Sequence, residues 1–421
     1  MPAPYSSPLA EELGPAVLDR LLRYVRVDTQ SARDRTSSPS TPGQLELGRL
    51  LVDELRAVGL DDAEQDANGY VFATLPATVA GAPVIGLLAH LDTSPDESGT
   101  GVEPIVHRDY DGGVIELPRR GTVLDPERMP ELLDAVGHDI VTTSGDTLLG
   151  ADDKAGMAEV MAAVAYLAAH PELPRPTIRV GFTPDEEVGE GASLFDIERF
   201  GAVCAYTLDG SSAGELQDET FTAAGADLVI HGVDVHPGFA TGKLVNASRL
   251  AGKILAALPA DRAPETTSGR DGFIHVYSVE GGAGTATIRA IVRDFDDAKL
   301  AEHVAVLRET AEGVVATEPR ARLELDVRPQ YPNMRVYLDE RPEVVAAAEE
   351  ALRLEGYEPL RTPIRGGTDG SVLSARGLPT PNLFTGGHEY HSVREWASLQ
   401  EMAGAAAVAV RLAGVWAGRA A

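Results

Sequence analysis

The chain is short of three things, and each shortage narrows what it can do. Its 421 residues include one cysteine, Cys204, which excludes an internal disulfide framework and suits a reducing compartment. Cys204 lies in the apolar run Ala202-Val203-Cys204-Ala205-Tyr206, so it reads as a small buried hydrophobe rather than a nucleophile. Positive charge is also scarce: 36 Lys and Arg face 65 Asp and Glu, a formal net charge of −29. That balance argues against nucleic acid as a partner, because phosphate binding needs a basic face. The acidic excess reads as a solubilising surface. Long apolar runs are missing too. No stretch approaches the ~20 residues of a membrane span, and no basic segment leading into an apolar run marks a secretory signal. A soluble, cytoplasmic protein is expected.

What remains is ordinary globular composition, with 43% hydrophobic and 24% charged residues. The length exceeds what one hydrophobic core usually holds, so two domains are expected. Residues 1–7 read as a loose tail. Val17, Leu18, Leu21, Leu22 and Val25 recur at helical spacing, and a second amphipathic helix reads from about Gln44 to Val58, ending at Gly59. The Ser-, Thr-, Pro- and Arg-rich stretch Ser31–Gly43 between them reads as a loop. The apolar runs 84–89, 178–182 and 203–208 look like strands covered on both faces. With the long helix Lys154–His170 they suggest an α/β layer with a largely parallel sheet.

From about Phe221 to Pro332 the texture changes. Strand-like alternation appears at 226–235, 273–279, 285–294 and 321–327, with helical stretches at about 244–258 and 298–315. The order β-α-β-β-α-β predicts an inserted ferredoxin-like domain, a four-stranded sheet with two helices on one face. The Gly-rich segment 279–284 reads as a hairpin turn, since it lacks the Lys-Ser/Thr ending of a phosphate loop. Helices at 342–354, 368–376 and 398–413 then return to the first texture. The expected division is 1–220 and 333–421 for one domain and 221–332 for the other.

The chemistry is concentrated where strands end. Glu186 and Glu187 stand side by side in Thr183-Pro184-Asp185-Glu186-Glu187-Val188-Gly189. Like charges this close raise each other's pKa and resist folding unless the charge is used. A metal ion would engage one glutamate and leave the other to handle protons. His90-Leu91-Asp92 closes the strand at 84–89. Two residues apart in extended chain, the imidazole can ligate while the Asp orients it. Taken alone, a buried hydrogen-bonded His explains the pair as well. Asp152 and Asp153 open the long helix, where they could cap it or Asp152 could bridge two ions. Lys154 beside them can balance local carboxylate charge. Asp209 follows the strand 203–208, where a turn aspartate is the bland reading. In Gly386-Gly387-His388-Glu389-Tyr390-His391 two histidines compete, and spacing does not choose between them.

Together these residues line the edge where α/β sheets gather ligands. Nitrogen and carboxylate donors without thiolate suit zinc, with cobalt or manganese as substitutes. Five such groups, one of them bridging, would hold two metals with room for a shared hydroxide, and Glu186 would be placed to take its proton.

The segments Ala89–Asp96, Leu148–Gly156, Phe182–Gly189, Arg365–Gly370 and Pro381–Gly387 resemble those of the peptidase T branch, the tripeptide aminopeptidases, of the M20 dizinc peptidases. The similarity runs from about Leu18 to the last helix. It implies two zinc ions bridged by Asp152, with His90 and Asp209 on one and Glu187 and His391 on the other. It implies that Asp92 orients, that Glu186 is the general base, and that His391 rather than His388 ligates. The expected reaction is removal of the N-terminal residue from tripeptides by Glu186-assisted attack of a metal-bridging hydroxide. The inserted segment corresponds to the family's lid, which also forms a homodimer contact. His236 matches a lid histidine that reaches the partner's site to polarise the scissile carbonyl. Arg293 and Arg365 match residues that hold the peptide carboxylate, with Asn246 a weaker candidate. Without the resemblance, His236 reads as a turn histidine and the arginines as surface ion pairs.

The chain departs from the family pattern at Ser392, where glycine is usual, at His388-Glu389, over 279–286, and in about a dozen extra N-terminal residues. A dipeptidase, carboxypeptidase or N-acyl amino acid hydrolase would share the metals and Glu186 but hold the substrate ends differently. A non-catalytic binding protein on the same fold would be expected to lack a ligand or the base, and this chain keeps all of them.

Overall fold

Ile178–Thr183, Ile85–His90 and Cys204–Leu208 lie side by side and parallel in the computed structural model, which describes residues 5–420. They are the centre of a mixed eight-stranded sheet. Val71–Leu75 joins one side antiparallel and carries Glu64–Gln65 at its edge. On the other side follow Asn382–Leu383, parallel, then Glu215–Gln217 and Leu360–Arg361. Every residue of Ile85–His90 is buried, as a strand covered on both faces requires. The helix Ala151–Ala169 packs on the strands Ile85–His90 and Cys204–Leu208, and against the helices Leu399–Ala417 and Pro8–Tyr24; the first two helices are apolar almost all round and correspondingly buried. Aromatic rings form a cluster with Leu88 and Ala205 of the sheet. Phe195 meets Phe200 edge-on at 5.0 Å and Phe72 at 5.3 Å, a favoured geometry for aromatic pairs.

The chain divides into two units: residues up to 218 with 336–362 and from 368 onward, and residues 219–335 with 363–367. The second has the order expected from the alternation: strand Thr222–His231, helix Ala247–Ala257, strands Phe273–Gly281 and Thr285–Asp294, helix Asp297–Ala316, strand Arg322–Tyr331. Its antiparallel sheet runs, in space, 273–281, 285–294, 222–231, 322–331. Leu228, Ile230, Ile288 and Val292 pack with Leu250, Ile254 and Leu307 of the helices. The intervening positions are polar, as in the pairs of Arg289 with Glu280 and Arg328 with Asp227.

Several boundaries differ from the sequence expectation for local reasons. The first helix starts at Pro8, with the Ser7 hydroxyl accepting from Ala10 N–H at 3.1 Å. Ser6 and Ser7 also donate to Glu355, so the described part of the expected tail is held; residues 1–4 lie outside the described residues. The second helix begins at Pro42, where proline suits a first turn. Residues 105–107, 140–142, 387–388 and 396–398 form a small antiparallel sheet whose strands are too short to leave a period in the sequence. Cys204 is buried, and burial pushes its thiol up to about 12. No helix of the described residues is long and apolar enough to cross a membrane.

Candidate metal centre

Three adjacent parallel strands deliver four of the candidate residues to one edge: His90 ends its strand, Asp209 follows Leu208, and Glu186-Glu187 follow Thr183. The carboxyl edge of such a sheet is where α/β folds gather ligands. The helix Ala151–Ala169 starts against the same edge with Asp152, whose backbone is not yet helical. Its approach is close because residue 156 is glycine. A Cβ there would lie 1.9 Å from the Leu208 carbonyl oxygen. Gly156→Ala is therefore expected to push the helix off the strand that presents Asp209. The expected cost is about 1–3 kcal/mol, as for other overpacked sites, read as a lower midpoint in denaturant titration.

Asp152 is the common member of two pairs. Its Oδ1 lies 2.8 Å from His90 Nε2, and its Oδ2 lies 3.2 Å from His391 Nε2. His90 Nε2 is also 3.6 Å from Asp209 Oδ1, and His391 Nε2 is 3.0 Å from Glu187 Oε2. His90, Asp209, Asp152, His391 and Glu187 are thus brought together with Asp152 between the two imidazoles. His90 with Asp152 and Glu187, and His90 with Asp153 and Asp209, each form a set able to hold a metal ion. Asp153 is already engaged, accepting from His90 N–H at 3.0 Å and Gly156 N–H at 3.2 Å.

Asp92 links the histidine to the glutamates. Its carboxylate accepts from Glu186 N–H at 2.9 Å and Glu187 N–H at 3.1 Å, and it lies 3.4 Å from His90 Nδ1. The His90 Nδ1 also lies 3.0 Å from the Asp92 carbonyl oxygen, which leaves Nε2 facing Asp152. The turn that carries the glutamates opens at Asp185 with φ +61°, a conformation non-glycine residues adopt only when held. Gln44 holds it: Asp185 N–H donates to Gln44 Oε1 at 3.1 Å, and Gln44 Nε2 donates back to Asp185 Oδ1 at 2.8 Å. Ser40 N–H adds a bond to Asp185 Oδ2 at 2.8 Å. The expected loop ends at Thr41, where the helix takes over, and its Ser40 braces the turn.

The charges are not balanced by the protein alone. Burial raises Glu186 well above the usual carboxylate range, with Asp209, Asp369 and Glu187 adding repulsion. Burial and Asp152 raise Glu187 to about 8, and burial raises Asp369 to about 7. Burial opposes protonation of His391, but its bonds to Asp152 and Glu187 prevail and lift it to about 11. His90 is likewise lifted against burial, by Asp152, Asp209 and Asp92. Lys154 is buried and donates to the Val27 carbonyl at 2.7 Å, and burial lowers it to about 8. Glu187 Oε1 is buried with no hydrogen-bond partner among the described residues. An orphaned carboxylate oxygen beside crowded carboxylates and two imidazoles fits divalent cations, and the nitrogen and oxygen donors fit zinc, cobalt or manganese.

His388 points elsewhere. Its ring stacks on Trp396 at 4.0 Å between centroids and its Nε2 lies 3.2 Å from Glu401 Oε2. Sequence reasoning missed Gln44, Asp185, Asp369 and Glu395, and gave Asp153 no separate role. Asp153, Asp185 and Asp369 carried a signal, lying inside motifs already singled out, whereas Gln44 and Glu395 carried none.

The remaining candidates belong to the second unit. Arg365 donates to the carbonyls of Gly269 at 2.9 Å and Asp271 at 3.0 Å and to the Thr267 hydroxyl at 3.0 Å, and stacks over Phe221 and Phe273. Arg293 lies over Phe273 and Tyr331, and its Nε is buried without a hydrogen-bond partner among the described residues. Neither guanidinium pairs with a carboxylate among the described residues. His236 opens a turn, its Nδ1 accepting from Gly238 N–H at 3.1 Å, beside exposed Phe239. Asn246 caps the helix Ala247–Ala257, accepting from Arg249 N–H at 2.9 Å.

The model of Peptidase family M20/M25/M40 matches residues 146–414. Peptidase T of Shouchella clausii is 48% identical over 405 residues, covering 96% of this chain and 99% of that protein. Peptidase T of Bacillus subtilis is 47% identical over 399 residues, covering 94% and 97%. Among solved structures, aminopeptidase PepT from Bacillus cereus superposes with a TM-score of 0.75 at 25% identity, covering 96% of this chain and 99% of that one. A tripeptidase from Staphylococcus aureus shares the fold, with a TM-score of 0.76 at 21% identity and the same coverage.

Proposed function

The chain belongs to peptidase family M20/M25/M40, and from that premise we propose that this metallo-aminopeptidase removes the N-terminal residue of tripeptides at a two-metal centre. The observation that carries the reading is the shared carboxylate: Asp152 faces His90 with one oxygen and His391 with the other. Asp152, His90 and Asp209 would hold one ion, and Asp152, His391 and Glu187 the other. When bound, such ions supply Lewis acidity, polarising a carbonyl and lowering the pKa of water towards ~7. Zinc suits the donor set, with cobalt or manganese as substitutes.

The protein's own groups do the rest. Asp92 fixes the His90 ring and, through two backbone N–H groups, the turn bearing both glutamates. Glu186 takes the proton from the attacking water and returns it to the nitrogen of the departing dipeptide. Its carboxylate takes no hydrogen bond from any described residue, which leaves it free for that work. In the second unit, Arg293 and Arg365 are the groups for the peptide's carboxylate, since guanidinium forks without a carboxylate partner among the described residues suit that anion. Asn246 has its side-chain oxygen engaged in a helix cap, which leaves its amide group for substrate. The second unit serves as lid and homodimer contact, and His236 polarises the scissile carbonyl in the partner's site. A cytoplasmic location completes the reading.

The test is a substrate panel with the metal-loaded protein. Tripeptides with a free N-terminus are expected to turn over at least ~10-fold faster, by kcat/KM, than dipeptides or N-acylated tripeptides. That margin corresponds to one lost charged contact at the substrate's end. Equal turnover of N-blocked peptides would overturn the aminopeptidase reading, and faster turnover of dipeptides would make the enzyme a dipeptidase.

A further inference from the structure

Glu395 lies four residues after His391 and is 1% exposed. Its Oε2 accepts from Leu149 N–H and Gly150 N–H, both at 2.7 Å, and its Oε1 from Asp152 N–H at 3.1 Å. One carboxylate thus collects three backbone donors of the turn that opens the helix Ala151–Ala169. These donors have no partner inside the helix, and negative charge at a helix start is favourable. The next residue, Trp396, begins the strand Trp396–Ser398, which pairs with Gly387–His388 and Ile140–Thr142. His391 sits in the connection between 388 and 396, at φ +58°. The segment carrying His391 and the turn carrying Asp152 are about 240 residues apart in the chain. Glu395 joins them directly.

We propose that Glu395 is a positioning residue for the metal centre, locking the Asp152 turn to the His391 segment so that both Asp152 oxygens face their imidazoles. The assignment rests on the two-metal reading. Groups that orient ligands in this way typically contribute 10- to 100-fold to metal affinity. A mere helix cap would contribute to stability and leave the affinity of the folded protein untouched. Glutamine at 395 keeps the shape, but it replaces one of the two accepting oxygens with a donor that faces N–H groups.

The experiment is competition for Zn²⁺ between a chromophoric chelator and the full-length apo protein, comparing wild type with Glu395→Gln and Glu355→Gln. Glu355 is a second buried carboxylate, bonded instead to Ser6, Ser7 and Arg411. Glu395→Gln is expected to weaken Zn²⁺ binding by about 10-fold or more. Glu355→Gln is expected to lower the melting temperature without weakening zinc. Wild-type affinity in Glu395→Gln, or equal weakening in both variants, overturns the assignment. If Glu395→Gln does not fold, Glu395→Asp keeps the charge, shortens the reach and is read the same way: weakened zinc supports the assignment and unchanged zinc overturns it. A wild type that fails to bind two ions would instead bring down the two-metal reading itself.

Discussion

Glu186→Gln is expected to keep two metal ions per chain and to lose turnover of tripeptides by ~10²-fold or more, the range of a general base. The substitution leaves the turn intact, because what places residue 186 is its backbone. Its N–H donates to Asp92 at 2.9 Å, and the preceding Asp185 is held by Gln44 and Ser40. The side chain makes no hydrogen bond to any described residue that an amide would lose. What the amide loses is the ability to accept a proton at working pH. The loss is therefore expected in kcat, with little change in KM. Steady-state kinetics and elemental analysis on the same preparation provide the check. A metal-replete Glu186→Gln protein with near-wild-type turnover would remove Glu186 from the proton transfer.

Asp152→Asn is expected to do the reverse, sparing the fold and emptying the site. Two imidazoles lie within 3.2 Å of the two Asp152 oxygens, so an amide removes charge from both positions and supplies an oxygen to at most one. The backbone of the turn stays in place, since Glu395 holds it through N–H groups that every side chain leaves available. Zinc affinity is expected to fall by more than the ~10²-fold upper range for groups that only orient ligands, with both ions affected. Glu187→Gln makes the contrast. Among the described residues Glu187 pairs with His391 and not with His90, so that variant is expected to lower occupancy at one position. Titration with Zn²⁺ against a chelator separates the two patterns. Two tightly bound ions in Asp152→Asn would break the shared-carboxylate account.

The parts of this arrangement legible in the sequence are those carried by short, local motifs. The apolar strands 84–89, 178–182 and 203–208 announce themselves by uninterrupted burial, and the polar residues that end them stand out against that background. The β-α-β-β-α-β order of the second unit was legible because each of its long strands alternates. Other parts leave no local trace. Glu395 meets the Asp152 turn across 243 residues, and Gln44 meets Asp185 across 141, so nothing near either residue marks its use. Two- and three-residue strands such as Asn382–Leu383 carry no period at all. The segment 363–367, with Arg365, joins the second unit although it lies beyond the expected boundary at 332. His388 and His391 could not be told apart by spacing. In three dimensions a tryptophan face and Glu401 occupy the first, while Asp152 and Glu187 meet the second.

The measurement that bears most directly on the two-metal centre is the number of ions per chain. Wild-type protein stripped with a chelator, reloaded with Zn²⁺ and freed of excess is predicted to hold two by elemental analysis. Aminopeptidase activity on a tripeptide is predicted to vanish on stripping and to return with reloading. Full activity at one ion per chain, or activity that survives complete stripping, would contradict it.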